Sequence, residues 1–189
     1  MRAVRVLVVC TANVYRSRVT EELLRLRLAG APVDIGSAGT RAASGEPVPP
    51  CVRTRLRDLG CVVAGMRPPR RLTADLVQTS DVVITLTAAQ RSEVLRLVPR
   101  ALARTVTLGE LARWSMTPPP LPVAFADRLL ALVHTATDLR GGAVHDDDVP
   151  DPRLMPERRR TDVVAMIAER VDDIASTLLD RAPLAGGVR

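Results

Sequence analysis

The stretch Val8-Val9-Cys10-Thr11-Ala12-Asn13-Val14-Tyr15-Arg16-Ser17 decides how this chain is read. It closes an apolar, β-branched run, Val4 to Val9, with the pattern of a buried parallel strand. The run ends on Cys10, and a helical pattern begins at Arg16-Ser17. In a strand-to-helix turn, the N–H groups of the loop and of the first helical turn have no chain partner. They converge on one spot, where the helix dipole adds positive charge. The loop Thr11-Ala12-Asn13-Val14-Tyr15 can therefore wrap a tetrahedral oxyanion with consecutive amides. Arg16 closes the ring, because its planar guanidinium matches two phosphate oxygens. Cys10 is expected beneath the bound group as a thiolate, favoured by the amides, the dipole and Arg16, and placed to attack phosphorus. Ser17 can donate a hydrogen bond to that sulfur, and Asn13 tolerates the left-handed backbone of a tight cradle. A lone cysteine is more often a buried strand-end residue. Here strand, spacing, Arg-Ser pair and following helix all agree on the cradle. A Walker phosphate loop is excluded, since the chain contains no lysine.

Composition narrows the class. A chain of 189 residues defaults to one domain, expected over 1–182 with a flexible tail at 183–189. It is 47% hydrophobic but only 2% aromatic, so its core must be built from Val, Leu, Ala and Ile. All 27 basic residues are arginine and the net charge is +6. These arginines are spread along helical segments without an aromatic-basic module. That pattern argues against nucleic acid, and for solvated faces or, second, a basic rim for acidic substrates. Three cysteines at irregular spacing form neither a disulfide framework nor a metal pattern, so a reducing, cytoplasmic setting is expected. The N-terminal apolar run is too short for a signal peptide or a membrane span.

Along the chain, Val19, Leu23, Leu24, Leu26 and Leu28 recur at helical spacing with Arg and Glu between them. Val33 to Ile35 reads as a short strand ending in the small residues Gly36 to Thr40, and Val52 to Leu59 as a helix closed by Gly60. Asp81 to Thr87 is a second buried strand, Ala88 to Val98 a helix, and Thr105 to Leu108 a short strand. Prolines forbid a helix through 115–122; helices are expected at Phe125 to Leu139 and Pro156 to Leu179. Alternating strands and helices imply βαβ units and a parallel sheet, with ligands beyond the carboxyl ends of the strands. Cys10 lies at such an end.

Phosphoryl transfer needs a proton source for the leaving oxygen. His134 falls on a predicted helix, where it is a surface or core residue. Asp151 sits between two prolines, Val149-Pro150-Asp151-Pro152, in a stiff loop that can hold a carboxyl over the site. Asp146, Asp147 and Asp148 are placed to crowd it with like charge. The residues alone leave Asp151 open between an acid, a helix cap and an ordinary acidic surface loop.

The chain resembles the low-molecular-weight protein tyrosine phosphatase family. The resemblance rests on Val9-Cys10 to Arg16-Ser17, on Ser37-Ala38-Gly39-Thr40, on Asp81 to Thr87 and on Val149-Pro150-Asp151-Pro152, in that order along nearly the whole chain. It implies a three-layer α/β/α fold on a four-stranded parallel sheet. It also implies a phosphocysteine on Cys10, stabilisation by Arg16 and the loop amides, and Asp151 as acid and then base. Asn13, Ser17 and Ser37 would shape the loop, and no metal or other cofactor is implied. The wall positions depart from the family: Arg41, Ala43 and Arg153 stand where apolar or aromatic residues are usual, and Met66 precedes Arg67 where a histidine is common. Tyr15 replaces a second loop cysteine, which leaves it as the one aromatic available to the walls.

These features predict hydrolysis of a phosphomonoester, foremost phosphotyrosine in protein. The alternatives are a small biosynthetic phosphate, or a catalytically weak phosphate-binding interaction protein. The intact set Cys10, Arg16 and Asp151 argues against the last. Arsenate reduction would need a relay of further cysteines, which Cys51 and Cys61 do not supply. The expected ligands are a phosphorylated protein or small phosphomonoester, and inorganic phosphate or another oxyanion; neither nucleic acid nor membrane is expected.

Overall fold

A computed structural model describes residues 2–43, 48–139 and 147–180; the expected tail 183–189, together with Ser44, His145 and Asp146, lies outside them. The strands are β1 Val4–Cys10, β2 Val33–Gly39, β3 Val82–Thr85 and β4 Thr105–Thr107. The helices are α1 Arg16–Arg27, α2 Pro50–Asp58, α3 Ala74–Gln78, α4 Ala88–Leu97, α5 Leu108–Met116, α6 Phe125–Asp138 and α7 Glu157–Leu178. All strand pairs are parallel, in the order β2-β1-β3-β4.

Strand alternation divides the core into two layers. Val4, Val6 and Val8 of β1 face one side and pack with residues of α1, α2, α5, α6 and α7. Leu7 and Val9 face the other, with Val77 of α3, Val94 of α4 and Leu72. Helices on both faces make the expected three-layer sheet. Val164, Ile167, Val171, Ile174 and Leu178 of α7 are all buried, as their spacing predicts.

Three local readings change. β2 continues through Gly36 to Gly39, because β1 pairs with it over its whole length, from Val4↔Val33 to Cys10↔Gly39. Two helices had no apolar periodicity long enough to be read, α3 and α5. Helix α5 starts at a capping box, with Thr107 Oγ1 accepting from Glu110 N–H and the Glu110 carboxylate from Thr107 N–H. The polar residues of α1 do not form a solvated face: Arg16, Arg18, Glu21 and Glu22 are buried, because α1 lies between the sheet and α7.

Candidate active site

The cradle begins where β1 ends. Cys10 is 2% exposed, and the loop after it folds back under the sulfur, so that Asn13 N–H donates to Cys10 Sγ at 3.2 Å. Asn13 has the left-handed φ of 57° that this turn requires. Gly39 explains the small residues at the end of β2. A Cβ there would stand 2.6 Å from Thr11 O and 2.8 Å from Asn13 N, so only glycine lets β2 lie against the loop. Two further bonds clamp the loop, from Thr40 N–H to Cys10 O (2.9 Å) and from Arg41 N–H to Thr11 O (2.8 Å). Gln90 of α4 adds a third by donating to Thr11 Oγ1 at 3.1 Å.

A buried hydrogen-bond chain runs behind the cradle, and its donors can be assigned from one end. Glu21 is fully buried, accepts from Arg18 through Oε2 and forms an ion pair with Arg25 at 2.6 Å. A carboxylate only accepts, so Ser37 Oγ gives its proton to Glu21 Oε2, at 2.5 Å. Ser37 then accepts from Asn13 Nδ2 at 2.8 Å. The Asn13 amide is held in this orientation by Arg70 N–H, which donates to Oδ1 at 2.9 Å. Its second Nδ2 proton goes to Ser17 Oγ, at 2.9 Å. Ser17 is thus left with its own proton for Cys10 Sγ, 3.0 Å away.

Arg16 and Asp151 meet across 135 residues, with Arg16 Nη2 donating to Asp151 Oδ2 at 2.7 Å. Arg16 Nη1 also donates to Val149 O at 3.1 Å, and the loop carrying both partners is hooked to the end of β3 by Val149 N–H to Leu86 O at 2.8 Å. Asp151 Oδ1 accepts from Arg153 N–H at 3.1 Å and caps the short 3₁₀ turn Pro152–Leu154. The capping role and the place beside the cradle are therefore both realised, one oxygen each. The acidic neighbours are engaged elsewhere: Asp147 pairs with Arg113 of α5, and Asp148 accepts from Ala88 N–H at the start of α4.

The walls differ from the floor. Tyr15 turns inward, 7% exposed, and its hydroxyl donates to Arg160 O at 2.6 Å. Burial, with Cys51 nearby, pushes its phenol up to about 12. This corrects the expectation that Tyr15 offers a stacking surface. Arg41, Ala43 and Arg153 are exposed, and Arg41 pairs with Glu93 of α4 at 3.2 Å. Of the other cysteines, Cys51 is half-buried, and burial pushes the Cys61 thiol up to about 11. Sequence reasoning missed Glu21, Arg18, Arg25, Arg70 and Gln90. The i, i+3 and i+4 charge spacing on α1 was visible, but not that the sheet would cover it. Among the described residues no cluster of His, Cys, Asp or Glu could hold a metal, and no helix is long and apolar enough to cross a membrane.

Residues 5–116 match the family model for low molecular weight phosphotyrosine protein phosphatase. The chain belongs to that family. It is 31% identical over 135 residues to EpsP of Ralstonia solanacearum, described as a probable low molecular weight protein-tyrosine-phosphatase, covering 70% of this chain and 90% of EpsP. It is 29% identical over 115 residues to the low molecular weight protein-tyrosine-phosphatase Etp of Escherichia coli K12, covering 61% of this chain and 76% of Etp. Solved structures share the fold. The YwlE arginine phosphatase of Geobacillus stearothermophilus superposes with TM-score 0.69 at 20% identity over 94% of each chain. The tyrosine phosphatase Wzb of E. coli K30, solved with sulphate, gives 0.67 at 20% identity over 92% of this chain and 97% of its own. As a low molecular weight phosphatase, the chain is a cysteine-based hydrolase. Asp151 lies beyond the matched stretch, and it is the fold that carries it to Arg16.

Proposed function

We propose that this phosphatase hydrolyses phosphotyrosine in proteins, with Cys10 as nucleophile, Arg16 as phosphoryl clamp and Asp151 as acid and base. The observation that carries the reading is the Arg16–Asp151 contact of 2.7 Å, which places a carboxyl beside a cradle already wired to the Cys10 sulfur. An incoming phosphoryl group takes the place of Asp151 and Val149 O on the Arg16 guanidinium. The Cys10 thiolate forms an S–P bond as the P–O bond to the leaving group breaks, and protonated Asp151 gives its proton to that oxygen. Water then attacks the phosphocysteine with Asp151 as base. Phosphate leaves, and Ser17 stabilises the departing thiolate. The loop amides and Arg16 supply the positive charge that the equatorial oxygens need. The relatives' names, EpsP and Etp among them, support protein phosphotyrosine as the substrate.

One observation favours a second reading, a small phosphomonoester. Tyr15 is buried and the rim presents Arg41, Ala43 and Arg153, which gives an aryl ring no aromatic platform. Turnover of p-nitrophenyl phosphate at mildly acidic pH by the wild type, and none by Cys10→Ser, is the result expected of both readings. kcat/KM on phosphotyrosine peptides, phosphoarginine peptides and sugar phosphates then separates them. A preference for sugar phosphates overturns the protein substrate, and no turnover of any of them overturns both readings.

A further inference from the structure

A groove of about 370 Å³ beside the loop clamp is lined by Arg41, Arg71, Arg96, Glu93, Leu72 and Leu97. Thr40 and Arg41 line it, and their backbone N–H groups donate to Cys10 O and Thr11 O of the cradle. The backbone of these two lining residues therefore runs about 5 Å from the nucleophile's loop, one strand spacing away. Three guanidinium groups face a single carboxylate, Glu93, which Arg41 already engages at 3.2 Å. Arg71 and Arg96 are exposed and have no carboxylate partner among the described residues. Thr40 lines the same groove, and its Oγ1 is shielded from solvent without a hydrogen-bond partner. Leu72 and Leu97 give the groove apolar surface. Guanidinium forks without a carboxylate partner suit an incoming carboxylate, and the leucines suit the methylene stem that carries it.

We propose that this groove binds an acidic side chain, foremost glutamate, flanking the phosphorylated residue of a protein substrate. The inference rests on the phosphatase reading above, and it adds a second recognition point that a free phosphomonoester cannot reach. An extended peptide advances about 3.3 Å per residue, so the carboxylate falls within a few residues of the phosphate.

The test is a scan of phosphotyrosine peptides with Glu or Gln at each of the flanking positions. Turnover is read as kcat/KM with the wild type, and binding as Kd with Cys10→Ser. At one or two positions Glu should be preferred about tenfold, chiefly in KM and Kd, and the preference should shrink in high salt. In the double variant Arg71→Gln/Arg96→Gln the Glu-to-Gln ratio should collapse toward one. Because a ratio is read on the same protein, a general loss of folding does not mimic the effect. Equal values for Glu and Gln at every position, or a preference that survives in the double variant, overturn the proposal. A Glu preference in binding without any turnover upholds the groove and overturns the phosphatase reading.

Discussion

Asn13, Ser17, Glu21 and Ser37, on the floor of the site, are each at most 2% exposed, whereas Arg41, Ala43 and Arg153 on its rim are exposed. The floor residues share one connected hydrogen-bond chain, which runs from Glu21 through Ser37, Asn13 and Ser17 to the Cys10 sulfur. The rim side chains make surface contacts such as Arg41–Glu93, which hold little energy and fix little geometry. The floor thus commits the molecule to one chemistry, while the rim leaves the choice of substrate to a few exposed residues. Substitutions on the two should differ in size and in kind.

The largest effect is expected at Gly39→Ala. The new Cβ would meet loop backbone at 2.6 to 2.9 Å, so the cradle must shift. A displacement of that size in a reacting geometry costs roughly a hundredfold or more in turnover. Circular dichroism should show the helices intact while kcat/KM falls; wild-type turnover would show that the contact does not shape the cradle.

Glu21→Gln comes next. It replaces the acceptor-only carboxylate that sets the direction of the chain with an amide that can also donate, and leaves Arg18 and Arg25 with one buried carboxylate, Glu22. Breaking such a buried pairing costs about 3 kcal/mol or more in stability. The second readout is specific. With Ser37 free to donate elsewhere, Ser17 loses its directed donation to the Cys10 sulfur, and kcat/KM of the folded variant should fall about tenfold. An unchanged kcat/KM in the folded variant would mean that the chain from Glu21 does not act on the Cys10 sulfur.

The contrast between floor and rim also explains what was legible in the sequence. The cradle is local: strand, Cys10, Arg16, Ser17 and helix occupy consecutive positions, so spacing alone disclosed it. Asp151 could be named as a candidate because two prolines isolate it, but its meeting with Arg16 depends on the hook from Val149 to Leu86 and has no sequence signature. Glu21 was hidden for the opposite reason. Its spacing from Arg18 and Arg25 resembles ordinary surface pairing, and only the packing of α1 between sheet and α7 turns it into a buried anchor. Helix α5 is too short for its apolar period to disclose it, although Thr107 and Glu110 carry its start signal.

Tyr15→Phe tests the connection between floor and core. The lost bond to Arg160 O should cost about 1 kcal/mol near neutrality. Burial raises the folded-state value from 10.0 to about 12, so the contribution of the phenol is complete below pH 10 and is lost as pH rises through about 12. The stability gap between wild type and variant should therefore narrow in alkaline denaturant titrations. A gap that stays constant to pH 12 would count against a buried, hydrogen-bonded phenol.

The smallest effect belongs to the rim. Arg153→Ala should change stability by less than about 0.5 kcal/mol, since the side chain is exposed. It should alter KM among substrates while leaving the shape of the pH profile alone, and a changed profile would move Arg153 from the rim into the chemistry.

The central claim, that the floor makes Cys10 the group that attacks phosphorus, is tested most directly by rapid quench during turnover of p-nitrophenyl phosphate, followed by mass spectrometry of the cysteine peptides. A phosphoryl group on the peptide containing Cys10, with Cys51 and Cys61 unmodified, is the predicted result. Release of p-nitrophenol with no phosphoryl group on Cys10, or with the label on another residue, would contradict it.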